Sequence, residues 1–178
     1  NDELYNLYNP LFSFPKNSNY ETLYPRFTQL IKSELKMYVM SNPNILAALK
    51  KFTGLTEAEI KTHLTWGKGP TLKIEDIPTT YYGDKPIGQF RPADPNSIII
   101  NKSDVAAFES YQGFTREAMW FLLAVSVLHE YVHYGDYKFD GIQAQTEVGF
   151  AFEYELYGRY IYNIDDAIKY IEIYYKRK

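Results

Sequence analysis

Residues 119–133 read MWFLLAVSVLHEYVH, an apolar run that ends in two histidines and a glutamate. The lead-in from Thr115 contains no proline or glycine, and Thr115 with Glu117 supplies a helix-start signal. We therefore expect one helix that ends at Gly135, just beyond the second histidine. Its apolar part, Met119–Leu128, is too short to cross a bilayer, which needs about twenty residues. The pattern predicts a central core helix rather than a membrane span.

His129, Glu130 and His133 form the pattern H-E-x-x-H. Two histidines four residues apart lie one above the other on a helix and can bind one zinc ion, Zn2+. A glutamate beside the metal can take a proton from zinc-bound water and pass it to a leaving amine, so Glu130 is the expected catalytic residue of a peptide-bond hydrolase. With three histidines in the chain, chance produces this pattern in roughly one chain in a couple of hundred. Two satisfied histidines in a core helix are the less favoured interpretation.

The composition limits the class of protein. A chain of 178 residues with 46% hydrophobic residues can bury a sizeable core, and no linker or repeat divides it, so we expect one domain, 1–178. A net charge of -3 gives no basic surface for nucleic acid. The absence of cysteine excludes thiol nucleophiles and thiolate ligands, so any metal must use histidine and carboxylates. The 18 tyrosines indicate packing at core edges, with a peptide-binding or carbohydrate-binding face as the alternative.

A zinc peptidase needs a third protein ligand and leaves the fourth position to water. No histidine follows His133, and the lone His63 is interpreted as structural or exposed. The third ligand is therefore expected to be a carboxylate. The candidates are Asp136, Asp140, Glu147, Glu153 and Glu155.

Helix geometry ranks these carboxylates. Residues 143–158 predict a second helix, in which Gly149 allows close approach to a neighbour. Glu147 would lie about one turn into this helix, near the height of His133, whereas Glu153 would lie roughly 9 Å further along and point about 120° away. Glu147 is thus the predicted third ligand. Glu153 remains an alternative because its spacing from His133 resembles that of thermolysin-like enzymes.

The other three carboxylates have different expected roles. Asp136 follows the predicted helix end, where it either hydrogen-bonds a ligand histidine or stabilises the loop. Asp140 with Gly141 predicts a turn, and a metal role for Asp140 is the less favoured alternative. Glu155 is expected on a solvated helix face.

The remaining segments predict an α+β fold: a compact, mostly helical domain with a small β-sheet. Residues 1–20 predict an irregular N-terminal arm, and residues 67–70, Gly-Lys-Gly-Pro, predict a break. Thr56 with Glu59 matches a capping box. The expected helices are 25–39, 43–54, 57–65, 104–109 and the helix pair within 115–158, and the expected strands are 71–77 and 97–101.

Residues 119–158 resemble the metallopeptidase toxin domains of bacterial polymorphic toxins and secreted effectors. The motifs that carry the resemblance are Leu128–Asp136, Asp140-Gly141, Glu147–Phe150, Phe152-Glu153 and Leu156–Gly158. It implies a zincin of gluzincin type, with zinc held by His129, His133 and Glu147 and with Glu130 as general base. The strand at 97–101 would then lie near the motif helix and offer its edge to an extended substrate.

The resemblance also implies a domain that is cut from a larger protein and delivered into a target cell, and the start Asn-Asp-Glu without an initiator methionine agrees with this expectation. The implied partners are a protein or peptide substrate and a cognate immunity protein. A tyrosine is the expected oxyanion donor, and four near the motif are candidates: Tyr131, Tyr134, Tyr154 and Tyr157. A regulatory or housekeeping zinc peptidase and a non-catalytic module in which zinc staples two helices are the alternative functions.

Overall fold

The computed structural model describes residues 12–80, 83–142 and 147–176. Residues 1–11 of the expected N-terminal arm lie outside these ranges. The described strands are β1 (Phe12–Ser13), β2 (Trp66–Glu75), β3 (Gly88–Phe90) and β4 (Ser97–Asn101). The described helices are α1 (Tyr20–Leu23), α2 (Pro25–Gln29), α3 (Leu35–Met40), α4 (Pro43–Thr53), α5 (Glu57–His63), α6 (Lys102–Ser110), α7 (Gly113–Asp140), α8 (Val148–Tyr157) and α9 (Ile164–Lys176). A π-helical turn, Leu30–Glu34, joins α2 to α3.

The strands form one sheet in the order β1-β2-β4-β3. β2 runs parallel to its neighbours β1 and β4, whereas β3 is antiparallel to β4 and lies at an edge. Helices supply most of the described residues around this small sheet. The predicted α+β class is therefore confirmed.

The prediction that residues 97–101 offer a free strand edge is wrong. β4 lies between β2 and β3, and all of its residues are buried. The unbroken β-branched run Ile98–Ile100 suits a strand that is covered on both faces, as here by α6 and α7 among others. The edge belongs to β3, a three-residue strand that begins with glycine and has no alternating pattern to reveal it.

β2 begins at Trp66, earlier than the prediction for residues 71–77, and it includes the expected break at residues 67–70. Its pairing with β1 is irregular there, because Phe12 lies opposite Trp66 and the next residue, Ser13, lies opposite Thr71. A register shift of this kind places extra residues between two paired positions and admits glycine and proline into a strand. The Gly-Lys-Gly-Pro stretch therefore lies within β2, at the shift in its register with β1.

The helices before the sheet follow the sequence signals. α4 begins at Pro43 and is ended by Gly54, whose φ of +70° is the left-handed conformation that glycine favours. The capping box at the start of α5 is confirmed: the Glu59 N–H donates to the Thr56 hydroxyl, and the Thr56 N–H donates to the Glu59 carboxylate.

α7 is the central helix around which the other elements pack. It buries nearly every side chain from Ala118 to Val132, and it contacts α4, α8, α9, β3 and β4. Burial on all sides explains why the sequence is apolar without a polar stripe. None of the described helices is long and apolar enough to cross a membrane.

The prediction that Gly135 ends this helix is wrong. α7 continues to Asp140 and ends at Gly141, which has a φ of +73°. Gly135 is buried where α7 crosses α4, and a Cβ atom added to it would lie 2.6 Å from Cβ of Thr53. The glycine therefore allows the close approach of two helices. Its position two residues after His133 does not reveal this role from sequence.

Replacing Gly135 with alanine tests this contact. Overpacking costs about 1–3 kcal/mol and the gain in helix propensity offsets about 1 kcal/mol, so we expect the free energy of unfolding to fall by up to about 2 kcal/mol. Urea unfolding followed by circular dichroism measures the change. The exposed Glu117→Ala variant on the same helix is the control and should stay within about 0.5 kcal/mol of the wild type. A more stable Gly135→Ala protein would contradict the packing account.

Candidate metal site

His129 and His133 project from the same side of α7. Their ring centroids lie 5.2 Å apart, and the His129 side chain is almost fully buried. The four-residue spacing produces this proximity directly, since i and i+4 side chains share one face of a helix. The sequence prediction that the two imidazoles lie together agrees with the structure.

Glu147 brings a carboxylate to these rings from outside α7. Its Oε1 lies 2.6 Å from Nε2 of His133 and 3.5 Å from Nε2 of His129. The predicted position one turn into a helix is wrong, because α8 begins at Val148 and Glu147 is the residue before it. The preceding residues 143–146 lie outside the described ranges.

The three donor atoms are suited to a metal ion. One atom each from His129, His133 and Glu147 lie within 4.8 Å of one another, and the described residues offer no fourth histidine or carboxylate to this group. Two imidazole nitrogens and one carboxylate oxygen form a donor set that zinc accepts in catalytic sites. The residues present therefore fit the zinc ion that the sequence pattern implies.

Glu153 lies on the other side of His129 from this cluster. Its Oε1 accepts the His129 Nδ1–H at 2.6 Å, and its Oε2 accepts the Ile161 N–H at 2.8 Å. With a relative exposure of 3%, it is among the most buried charged groups that the structure describes. A carboxylate on Nδ1 fixes the imidazole so that Nε2 faces the cluster. Glu153 is thus a positioning residue, a role that sequence reasoning did not assign to it.

The other candidate carboxylates are not in the cluster. Asp136 lies on α7 beyond His133, and burial raises the pKa of its carboxyl group. Asp140 accepts the Ile142 N–H at 2.8 Å and so forms the turn expected at its position. Glu155 is exposed and forms an ion pair with Lys51.

Glu130 is buried against β3. A Cβ atom added to Gly88 would lie 2.7 Å from its Cγ, so the backbone of β3 covers the side chain closely. Burial raises the pKa of the Glu130 carboxyl group, although His129, His133 and a hydrogen bond from the Phe90 N–H oppose this shift. A carboxylate with a raised pKa is better able to hold a proton at neutral pH.

The charged groups around His129 set its proton affinity. Burial alone would lower the pKa of the imidazole, but hydrogen bonds with Glu147 and Glu153 outweigh burial and raise it to about 10. Hydrogen bonds from the His129 and His133 imidazoles in turn lower the pKa of the Glu147 carboxyl group. A proton and a metal ion therefore compete for His129.

The cluster opens into a cleft of about 240 Å³. Residues 86–90, which include β3, form one wall, and the metal-site side chains form the other. The lining residues are Pro86, Gly88, Gln89, Phe90, His129, Glu130, His133 and Glu147. A larger groove of about 810 Å³ lies elsewhere and shares none of these residues.

No tyrosine is among the cleft-lining residues that the structure describes. Tyr131 and Tyr134 are buried, and the Tyr131 hydroxyl lies 2.9 Å from Nδ1 of His63, which gives that lone histidine a structural role. The Tyr157 hydroxyl lies 3.3 Å from the Tyr38 hydroxyl. The structure therefore does not place an oxyanion donor among the expected tyrosines.

Gly149 explains how α8 reaches the site. A Cβ atom added there would lie 2.4 Å from Cδ2 and Nε2 of the His129 ring. The predicted close approach of Gly149 to a neighbour is confirmed, and the neighbour is a proposed metal ligand. Glycine two residues after Glu147 thus lets the first turn of α8 pass over the imidazole.

Comparison with known families gives one match. Residues 20–158 match the family described as metallopeptidase toxin 3, and this range includes every residue of the cleft. No curated protein and no solved structure matches the chain.

Replacing Glu153 with glutamine tests its positioning role. If the amide oxygen accepts the Ile161 N–H, the amide NH2 faces Nδ1, and the proton of His129 moves to Nε2, where a metal must bind. We expect zinc affinity to fall by about 10–100-fold, measured by competition with a chelating dye. Glu155→Gln, the same change on the exposed side of α8, is the matched control. Equal zinc affinities of Glu153→Gln and Glu155→Gln would refute the positioning role of Glu153.

The pH dependence of zinc binding tests the electrostatics of His129. With a pKa of about 10, the imidazole is protonated throughout pH 6–8 and must lose that proton when zinc binds. Raising the pH removes this competition, so we expect affinity to rise by up to about tenfold per pH unit. Calorimetry in buffers of different ionisation enthalpy counts the protons released. A flat affinity without proton release would show that His129 is already neutral.

Proposed function

The chain belongs to the metallopeptidase toxin 3 family, and from that premise we propose that it is a zinc-dependent endopeptidase. His129, His133 and Glu147 are the proposed zinc ligands, and Glu130 is the proposed general base. One observation carries the proposal: three convergent donor atoms and a buried carboxylate line the same cleft along a sheet edge.

Zinc, when bound, supplies a Lewis acid that polarises a carbonyl oxygen and lowers the pKa of water. The chain supplies the proton transfer. A Glu130 carboxylate oxygen takes the proton from the attacking water and delivers it to the leaving nitrogen of the cut peptide bond. Burial under β3 supports this role, because it raises the pKa of Glu130 towards neutral pH.

β3 is the proposed substrate-binding edge in place of residues 97–101. Among the strands that the structure describes it pairs with β4 alone, and Gly88, Gln89 and Phe90 line the cleft. An extended polypeptide can pair with such an edge through main-chain hydrogen bonds, which places its backbone along the metal site. This mode of binding suits an endopeptidase, since it requires no free chain end.

We further propose that the domain acts inside a target cell on a protein substrate, as part of a larger delivered protein, and that a cognate immunity protein neutralises it. The description of the family as toxins supports this context over a regulatory or housekeeping peptidase. A zinc-stapled binding module is disfavoured, because structural zinc sites are closed by four protein ligands and the described residues offer three.

Replacing Glu130 with glutamine separates zinc binding from catalysis. We expect elemental analysis to find one zinc per chain in the wild type and in Glu130→Gln. We expect the variant to cleave a denatured mixed-protein substrate at least about 100-fold more slowly than the wild type. Glu147→Ala should lose the zinc, whereas Glu155→Gln should keep both zinc and activity. Full activity in Glu130→Gln would overturn the proposed mechanism.

A further inference from the structure

Three aromatic rings lie together beside the metal site: Phe150, Tyr160 and Tyr162, here called the aromatic triad. The Phe150 ring packs edge-on against the His129 ring, with centroids 4.9 Å apart. The three centroid separations within the triad are 5.0, 5.3 and 5.6 Å. The triad therefore contacts His129, a residue that lines the proposed catalytic cleft, although its own rings are not among the cleft-lining residues that the structure describes.

The two tyrosines of the triad are exposed, and Phe150 is half-buried. Tyr160 and Tyr162 have relative exposures of 40% and 53%, and neighbouring Tyr154, whose ring lies 5.9 Å from that of Tyr160, is 60% exposed. Contiguous exposed aromatic area is uncommon on a folded protein and usually marks a binding surface. Core packing does not explain these rings.

The segment that carries the two tyrosines is held in place by the metal site itself. Ile161, between them, is buried and donates its N–H to Glu153, the carboxylate that also binds His129. The Tyr162 N–H donates to Asp166 at the start of α9. These two anchors hold the rings in position before any ligand arrives, which lowers the entropic cost of binding.

We propose that the aromatic triad is a specificity subsite that accepts an aromatic side chain of the substrate next to the cut bond. The inference rests on the proposed peptidase function, and it names the side-chain class that the site selects. Aromatic rings attract one another in tilted and edge-on arrangements at the separations already present in the triad. An added substrate ring would extend this arrangement and cover the exposed tyrosine faces.

The packing of the triad argues against a cationic side chain. The strongest cation sites of this kind are cages, in which several ring faces surround one centre. Here the three rings meet one another at 52–66° with centroids 5.0–5.6 Å apart, so they pack together instead of enclosing a cage. The nearby Asp84 and Asp166 act on Tyr162 electrostatically, so lysine is the comparison that the experiment must include.

The test measures peptide binding to the zinc-loaded Glu130→Gln protein, so that the readout does not require turnover. Three fluorescent octapeptides share a Gly-Ala background. The first carries a phenylalanine at the centre, the second carries a lysine there, and the third keeps the background residue. A short peptide can shift its register along β3, so one central side chain suffices. We expect the phenylalanine peptide to bind at least about tenfold more tightly than the other two, measured by fluorescence anisotropy.

Variants of the triad in the same Glu130→Gln background locate the preference. The preference is the ratio of the affinity for the phenylalanine peptide to the affinity for the unreplaced Gly-Ala peptide. Tyr160→Ala and Tyr162→Ala should each reduce this ratio by at least about threefold, whereas Tyr162→Phe should retain it. Phe114→Ala is the matched control: this exposed ring lies at the start of α7, roughly 22 Å along the helix from His129. It should leave the ratio unchanged.

Equal binding of the three peptides, tightest binding of the lysine peptide, no detectable binding of any peptide, or a preference that survives both alanine variants would each overturn the subsite. Cleavage by the wild type is measured separately on the same peptides and on denatured protein. A wild type that binds zinc and prefers phenylalanine but cleaves nothing would refute the peptidase and leave the subsite in place. Cleavage by the wild type without a preference for the phenylalanine peptide would support the peptidase and refute the subsite.

Discussion

The carboxylate of Glu153 is the contact on which the site depends. A buried charge is costly unless hydrogen bonds satisfy it, and each of its oxygens has a partner: one accepts from His129 on α7, the other from the Ile161 backbone. A single side chain on α8 therefore orients a proposed zinc ligand on the central helix and links it to the segment that enters α9. The aromatic triad lies beside His129 because Phe150 of α8 packs on that ring, and the segment tied to Glu153 brings Tyr160 and Tyr162 to Phe150.

Three carboxylates near the two histidines of α7 have different surroundings. Glu147 faces the Nε2 atoms of both histidines, Glu153 faces Nδ1 of His129, and Glu130 is held apart from them under β3. Burial raises the pKa of Glu130, while hydrogen bonds with the imidazoles lower that of Glu147. Environment alone thus separates a group suited to carry a proton from a group suited to bind a cation.

The sequence predicted the parts of this site that depend on local spacing. The four-residue interval placed the rings of His129 and His133 together, and the missing downstream histidine indicated a carboxylate as their partner. Glu147 was chosen among the candidates for a position one turn into a helix, whereas it precedes α8. The role of Glu153 was not predictable, because its partner is 24 residues away and only the packing of α8 on α7 brings them together. The sheet edge was assigned to residues 97–101 for a similar reason: a β-branched run reveals a strand, but strand order depends on pairing across the whole fold. Gly135 was taken for a helix end because its partner on α4, Thr53, is even more distant in sequence.

The most direct test of the central claim is a crystal structure of the zinc-loaded protein with anomalous diffraction recorded on both sides of the zinc absorption edge. We expect one anomalous peak per chain, within coordinating distance of Nε2 of His129, Nε2 of His133 and a carboxylate oxygen of Glu147, with Glu153 still on Nδ1 of His129. A peak enclosed by four protein side chains, or no peak between the two histidines, would contradict the central claim.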